Sequence, residues 1–118
     1  MFINFSNHPS EMWSIEQKKE SEIYGDIIDI TFPNVSPYAD SCEIEKMSEK
    51  CVSDIMKNNP ECVMCQGEFT LSYQVIKKLK EKGVKVVAAC SERVVSEISV
   101  NGKSEKKSVF RFVKYRGY

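Results

Sequence analysis

The stretch Cys62-Val63-Met64-Cys65-Gln66-Gly67-Glu68-Phe69-Thr70 decides the fold: a short apolar run stops at a glycine, and an amphipathic helix begins directly after it. This is a strand running into a helix, and in a parallel α/β sheet the carboxyl end of a strand is where ligands bind. Gly67 lets the backbone approach a bound group, and Thr70 is placed to cap the helix by accepting from one of its free N–H groups. Cys62–Gln66 is thus expected as a strand. Thr70–Lys82 is expected as a helix, with Leu71, Val75, Ile76 and Leu79 facing inward and Gly83 ending it.

Downstream, Val84–Cys90 is almost unbroken in apolar residues, as in a parallel strand buried on both faces, which calls for helices on both sides of the sheet. Ser91-Glu92-Arg93 reads as the loop that follows it. Val94–Val100 then alternates, Asn101-Gly102 is a strong hairpin signal, and Ser108–Tyr115 is again β-rich. Upstream, Asp40 or Ser41 opens a helix to about Asn58 whose Ile44, Met47, Cys51, Val52 and Ile55 form one stripe. Asp26–Phe32 is expected as a strand and Asn34–Ser41 as a loop.

Met1–Phe5 is a strand that breaks at Ser6-Asn7-His8-Pro9-Ser10. A helix should follow to about Tyr24, capped by Asn7 or Ser10, with Pro9 in its first turn and Gly25 past its end. Its apolar pattern is weak: Met12, Ile15 and Ile23 share a face, while Trp13 and Gln17 lie along another edge. The order β-α-β-α-β-α-β followed by a β-hairpin predicts an α/β, three-layer, Rossmann-like and mostly parallel sheet with right-handed crossovers. Residues 1–92 form the parallel core and 93–118 the terminal antiparallel hairpin of a single domain.

A chain of 118 residues, 42% hydrophobic and 29% charged, suits one core and not a disordered segment. Its apolar runs are too short for a membrane span, and its start lacks the basic flank and apolar core of a signal peptide, so a cytoplasmic protein is expected. Five cysteines, an odd number, read as reduced thiols. Cys62-x-x-Cys65 has the spacing of zinc and redox sites, but no second pair accompanies it and His8 is the only histidine. Both cysteines are therefore assigned to the core, and neither metal nor cofactor is expected. Residues 1–60 hold 5 Lys/Arg and 11 Asp/Glu, whereas residues 61–118 hold 12 and 6. Such polarity suits an anionic ligand near the C-terminal half or head-to-tail contacts between copies, and it also suits solvated helix faces such as that bearing Lys77, Lys78, Lys80 and Lys82.

A parallel sheet brings the loops after the first, third and fourth strands to one rim. They supply Ser6, Asn7 and His8; Gln66, Gly67, Glu68, Phe69 and Thr70; and Ser91, Glu92 and Arg93. Helix N-termini at that rim suit phosphate, and Arg93 can add a bidentate anion contact. Trp13 can stack on a base or pack in the core. No G-x-G-x-x-G, P-loop or G-x-S-x-G is present, so dinucleotide-binding, NTP-hydrolysing and nucleophile-elbow chemistries lack their fingerprints. Glu68 would repel phosphate and is better suited to a ribose hydroxyl or proton transfer. Histidine titrates near neutrality, so His8 can be a general acid or base, or simply brace its turn. Arg93 can instead pair with Glu68 or Glu92. Phe110, Arg111, Phe112, Tyr115 and Arg116 form an aromatic-basic strand that could bind nucleic acid, seal the sheet edge or make a dimer.

Phe2-Ile3-Asn4-Phe5-Ser6-Asn7-His8-Pro9-Ser10, Gln66-Gly67-Glu68-Phe69-Thr70, Ser91-Glu92-Arg93 and Phe110-Arg111-Phe112-Val113 together resemble small stand-alone CRISPR-associated proteins of the CARF-type Rossmann-like group and their ring nuclease relatives. The resemblance implies a homodimer that binds cyclic oligoadenylate across its two-fold axis at the carboxyl ends of the strands. It also implies metal-independent cleavage in which the substrate's own 2′-OH attacks the adjacent phosphate. Backbone N–H groups near Asn7 and Gly67 would hold phosphates, Arg93 would steady developing charge, and His8 or Glu68 would move the proton. Two alternatives stand beside it: a nucleotide or nucleoside hydrolase or transferase using Glu68, and a non-catalytic dimeric interaction module. Neither a membrane nor long nucleic acid is an expected partner.

Overall fold

All residues of Phe2–Ser6, strand β1, are buried, because β1 has parallel neighbours on both edges: β2 (Ile27–Thr31) and β3 (Cys62–Cys65). β3 in turn pairs in parallel with β4 (Lys85–Val100), and β4 pairs antiparallel with β5 (Lys103–Gly117). In this computed structural model, which describes residues 1–118, the sheet is mixed and runs β2-β1-β3-β4-β5. The helices are α1 (Ile15–Glu22), α2 (Ser41–Met56) and α3 (Phe69–Glu81), giving an α/β fold.

Strand side chains alternate between faces, so each short apolar run serves two cores. Ile3, Phe5, Val63, Cys65 and Val86 pack with Ile44, Val52 and Ile55 of α2 and Leu71, Val75 and Leu79 of α3. Phe2, Cys62, Met64 and Val87 form a smaller core on the other side with Trp13, Tyr24, Ile27 and Tyr115. The stripe expected on α2 is thus the one that packs. Cys62 and Cys65 lie in different cores on opposite faces, so the pair cannot close on one ion. Burial pushes their thiols up to about 11 and about 12.

The first helix differs from its expected form. Ser10–Met12 is a 3-10 turn, the chain extends at Trp13, and α1 starts only after Ser14, whose side chain accepts from Gln17 N at 3.2 Å. The cap is therefore Ser14, not Asn7 or Ser10. Met12, Ile15 and Ile23 face solvent at 78%, 70% and 71% exposure. The side turned to the protein carries Gln17 and the fully buried Ser21, because β5 meets α1 with a phenol: Tyr115 OH lies 3.2 Å from Gln17 Nε2 and 2.7 Å from Ser21 Oγ. A polar seam replaces the missing apolar stripe.

The second difference is at Ser91-Glu92-Arg93, which is strand and not loop. β5 continues the ladder past the parallel core, pairing Ser91 with Phe112, Glu92 with Arg111 and Arg93 with Phe110 after an irregularity at Cys90/Ser91. Polar residues break a strand buried on both faces but fit a ribbon open to water. Beyond that point the two strands form an arm that turns at Asn101 (φ 53°) and Gly102 (φ 74°), the left-handed pair that a tight hairpin needs. The radius of gyration, 17.0 Å with a 56 Å long axis, records this arm. A compact chain of this length would have roughly 13–14 Å. No helix is long and apolar enough to cross a membrane.

Candidate functional site

From β1 the chain first adds β2 on one side, then returns across β1 to add β3 on the other, so the winding direction reverses between β1 and β3. In open α/β sheets the crevice beyond the carboxyl ends of two such strands is the usual ligand site. β1 ends there in Ser6-Asn7-His8 and β3 in Gln66-Gly67, with Gln66 N donating to Phe5 O at 3.2 Å.

A buried polar cluster fixes the first of these turns. Asn4, 1% exposed, donates from Nδ2 to His8 O at 2.8 Å and to Asp29 Oδ1 at 3.1 Å. Ser6 Oγ donates to Asn4 Oδ1 at 2.6 Å and accepts from His8 N at 3.2 Å, while Asp29 Oδ2 accepts from Ser10 N at 3.1 Å. The His8 backbone is clamped on both of its polar groups, which leaves the imidazole to line a cleft of about 440 Å³ on the α1 side of the sheet.

Trp13, Gln66 and Ser91 join His8 in that cleft, as do Gln17, Phe110 and Phe112. The rings are held from behind: Trp13 meets Phe2 edge-on with centroids 6.2 Å apart, and Phe112 meets Tyr115 at 5.0 Å. Gln66 Oε1 accepts from Ala89 N at 2.9 Å, leaving its NH2 group as a free donor. Aromatic faces beside amide and hydroxyl groups suit a flat heteroaromatic ligand that is stacked on one side and hydrogen-bonded at its edge.

Other expected site residues are placed elsewhere. Ser6 is buried beneath the cleft as part of the clamp, and Asn7 is exposed on the turn without lining the cleft. Gly67, Phe69 and Thr70 lie on the α3 side. A Cβ on Gly67 would stand 2.5 Å from the buried Phe32 ring, so glycine is needed there by the core and not by a ligand. Thr70 does not cap α3; Glu68 does, accepting from Thr70 N at 2.9 Å, Leu71 N at 2.8 Å and the Thr70 hydroxyl at 2.7 Å. These hydrogen bonds, those from Leu71 and Thr70 N–H foremost, hold its carboxyl below the usual carboxylate range. The helix end expected to take phosphate is thus filled by the chain's own carboxylate. On the ribbon, Glu92 pairs with Arg111, and Arg93 donates to Ser108 Oγ from Nε at 3.1 Å and Nη2 at 2.9 Å.

A family model matches residues 1–116. The chain belongs to the uncharacterized protein MJ1673 family. No curated protein and no solved structure matches it.

Asn4 and Asp29 belong to this site although neither was expected there; Asn4 carries a signal, an amide between the apolar residues of β1, and the register sets the exposed Asp29 opposite it. A polar side chain inside a two-sided strand needs partners, and here those partners are the site's own turn. Gln17, Met64 and Ala89 were not expected as lining because what opens to the cleft depends on how α1 and β4 sit against β3.

Proposed function

We propose that this chain binds adenine nucleotides, in ring form cyclic oligoadenylate, in the cleft between His8, Trp13, Gln66 and Phe110. One observation carries the proposal: a stacking surface and the free NH2 group of Gln66 meet at the reversal point of the sheet. That NH2 group can donate to the N7 acceptor of adenine, while Oε1 is held by Ala89 N. The parallel order β2-β1-β3-β4, with helices packed on both faces, supports a Rossmann-like arrangement. The cleft has the volume for one nucleotide and not for a ring, so a ring needs clefts from two copies. A homodimer follows, and the ribbon offers it a surface: Ile98, Val100 and Val109, on one face, are 41–46% exposed. Five unpaired cysteines support a reducing, cytoplasmic setting.

Turnover on this site is metal-independent ring opening. The substrate 2′-OH attacks the adjacent phosphorus, the new O2′–P bond replaces the P–O5′ bond, and the proton lost from 2′-OH is balanced by one gained at O5′. His8, which lines the cleft, is assigned the transfer of that proton. Glu68, occupied as a cap, and Arg93, bound to Ser108, do not line the cleft, so the geometry lends no support to a Glu68 nucleophile.

The test is incubation of purified protein with radiolabelled cyclic tetra- and hexa-adenylate in EDTA. Retention of the ring, or its conversion to linear product ending in a 2′,3′-cyclic phosphate, is expected. Neither binding nor cleavage of either ring would overturn the proposal.

A further inference from the structure

Gln66 borders two cavities. On the α1 side lies the cleft already described; on the α3 side lies a second cavity of about 580 Å³ whose walls include Phe69, Tyr73, Ile76 and Tyr118. Phe69 and Tyr73 stand one helical turn apart at the start of α3 and are 89% and 64% exposed, which is unusual for rings on a helix whose other side is core. Tyr118 is held at the opposite wall by its hydroxyl, which donates to Cys65 O at 2.8 Å. Between them lies Ser72, 7% exposed, whose hydroxyl has no hydrogen-bond partner. The Cys65 thiol beside it is a weak partner at best. A buried hydroxyl beside a cavity and without a strong partner is a group that a bound molecule can satisfy.

We propose that this cavity is a second base-binding subsite, so that the chain engages at least a dinucleotide, with one base on each face of the sheet and the connecting phosphate passing over Gln66-Gly67. The inference rests on nucleotide binding in the first cleft. The occupant is a second base tethered to the first and not a separate small molecule, because Gln66 at the sheet edge borders both cavities. Both cavities also present the same chemistry, aromatic faces beside polar groups. Stacking on a ring accepts any base and suits a tethered second nucleotide.

The experiment compares binding of 5′-AMP and linear adenylyl-adenosine by equilibrium dialysis on wild type, Tyr73→Ala, Ser72→Ala and Phe110→Ala. Wild type should bind the dinucleotide about tenfold or more tighter than the mononucleotide, the order that one stacked base supplies. Tyr73→Ala, at an exposed position that folding does not need, should abolish that advantage and leave AMP affinity unchanged, while Phe110→Ala should weaken both ligands. Ser72→Ala should lower dinucleotide affinity alone; a more stable protein with unchanged affinity would make the hydroxyl a core defect and overturn the subsite. Equal dinucleotide affinity in wild type and Tyr73→Ala would also overturn it while the first cleft stands. Failure of wild type to bind either ligand would overturn the nucleotide reading itself, and the subsite with it.

Discussion

The hydroxyls of Ser21 and Tyr115 lie 2.7 Å apart although the residues are 94 positions apart in the chain, and this contact ties α1 to the last strand. Ser21 also donates to Gln17 O at 2.8 Å, so removing the phenol leaves the serine a partner but costs the seam both bonds between the elements, to Ser21 and to Gln17. Tyr115→Phe should lower stability by about 1–3 kcal/mol, the usual net worth of two hydrogen bonds. Thermal melting checks the loss, and amide exchange should accelerate in α1 before it does in α3.

Gly67 is expected to tolerate no side chain. An alanine Cβ would meet the Phe32 ring in a packed core, so Gly67→Ala should cost about 1–3 kcal/mol by overpacking. In urea unfolding, Phe32→Leu in the same chain should recover part of that loss. Additive losses in the double variant would show that the glycine serves something other than Phe32.

Glu68 makes the start of α3 sensitive to acid. Its folded-state pKa is depressed, so its contribution is present above the unfolded carboxylate pKa and is lost as pH falls through the depressed value. Glu68→Gln should melt lower than wild type at neutral pH by the equivalent of about 1 kcal/mol, as lost caps do. The gap should narrow as pH falls below the usual glutamate range. A gap independent of pH would separate the loss from the carboxylate charge.

The sheet was legible because its signals are local. Apolar runs at Phe2–Phe5 and Val84–Ala89, interrupted only by Asn4 and Lys85, the stripe on α2 and the Asn101-Gly102 turn each specify one element. The parallel core also brought the segments at His8, Gln66 and Ser91 to one edge, as expected. What could not be read depends on distant partners. Ser91–Arg93 is strand only because β5 runs beside it, and α1 packs by polar groups only because Tyr115 meets it. Gly67 answers to Phe32, and Glu68 is the cap because α3 starts at Phe69, which puts Thr70 inside the first turn.

The ribbon should hold copies together. A two-stranded arm is marginal alone, and this one exposes Ile98 and Val100 on β4 beside Val109 on the basic strand β5, while residues 1–60 are acidic. Sedimentation should show a dimer for wild type and a shift toward monomer for the double variant Ile98→Glu, Val109→Glu, with far-UV dichroism of the parallel core retained. A wild-type monomer at all concentrations would leave the ring reading without its second cleft.

Trp13 is the only tryptophan and lines the proposed nucleotide cleft, so its emission reports that site alone. Titration with adenosine nucleotides, cyclic tetra-adenylate first, should quench and shift that emission saturably, and Phe110→Ala should weaken the response. Emission that stays unchanged while equilibrium dialysis detects no bound nucleotide, or detects it bound elsewhere, would contradict the account.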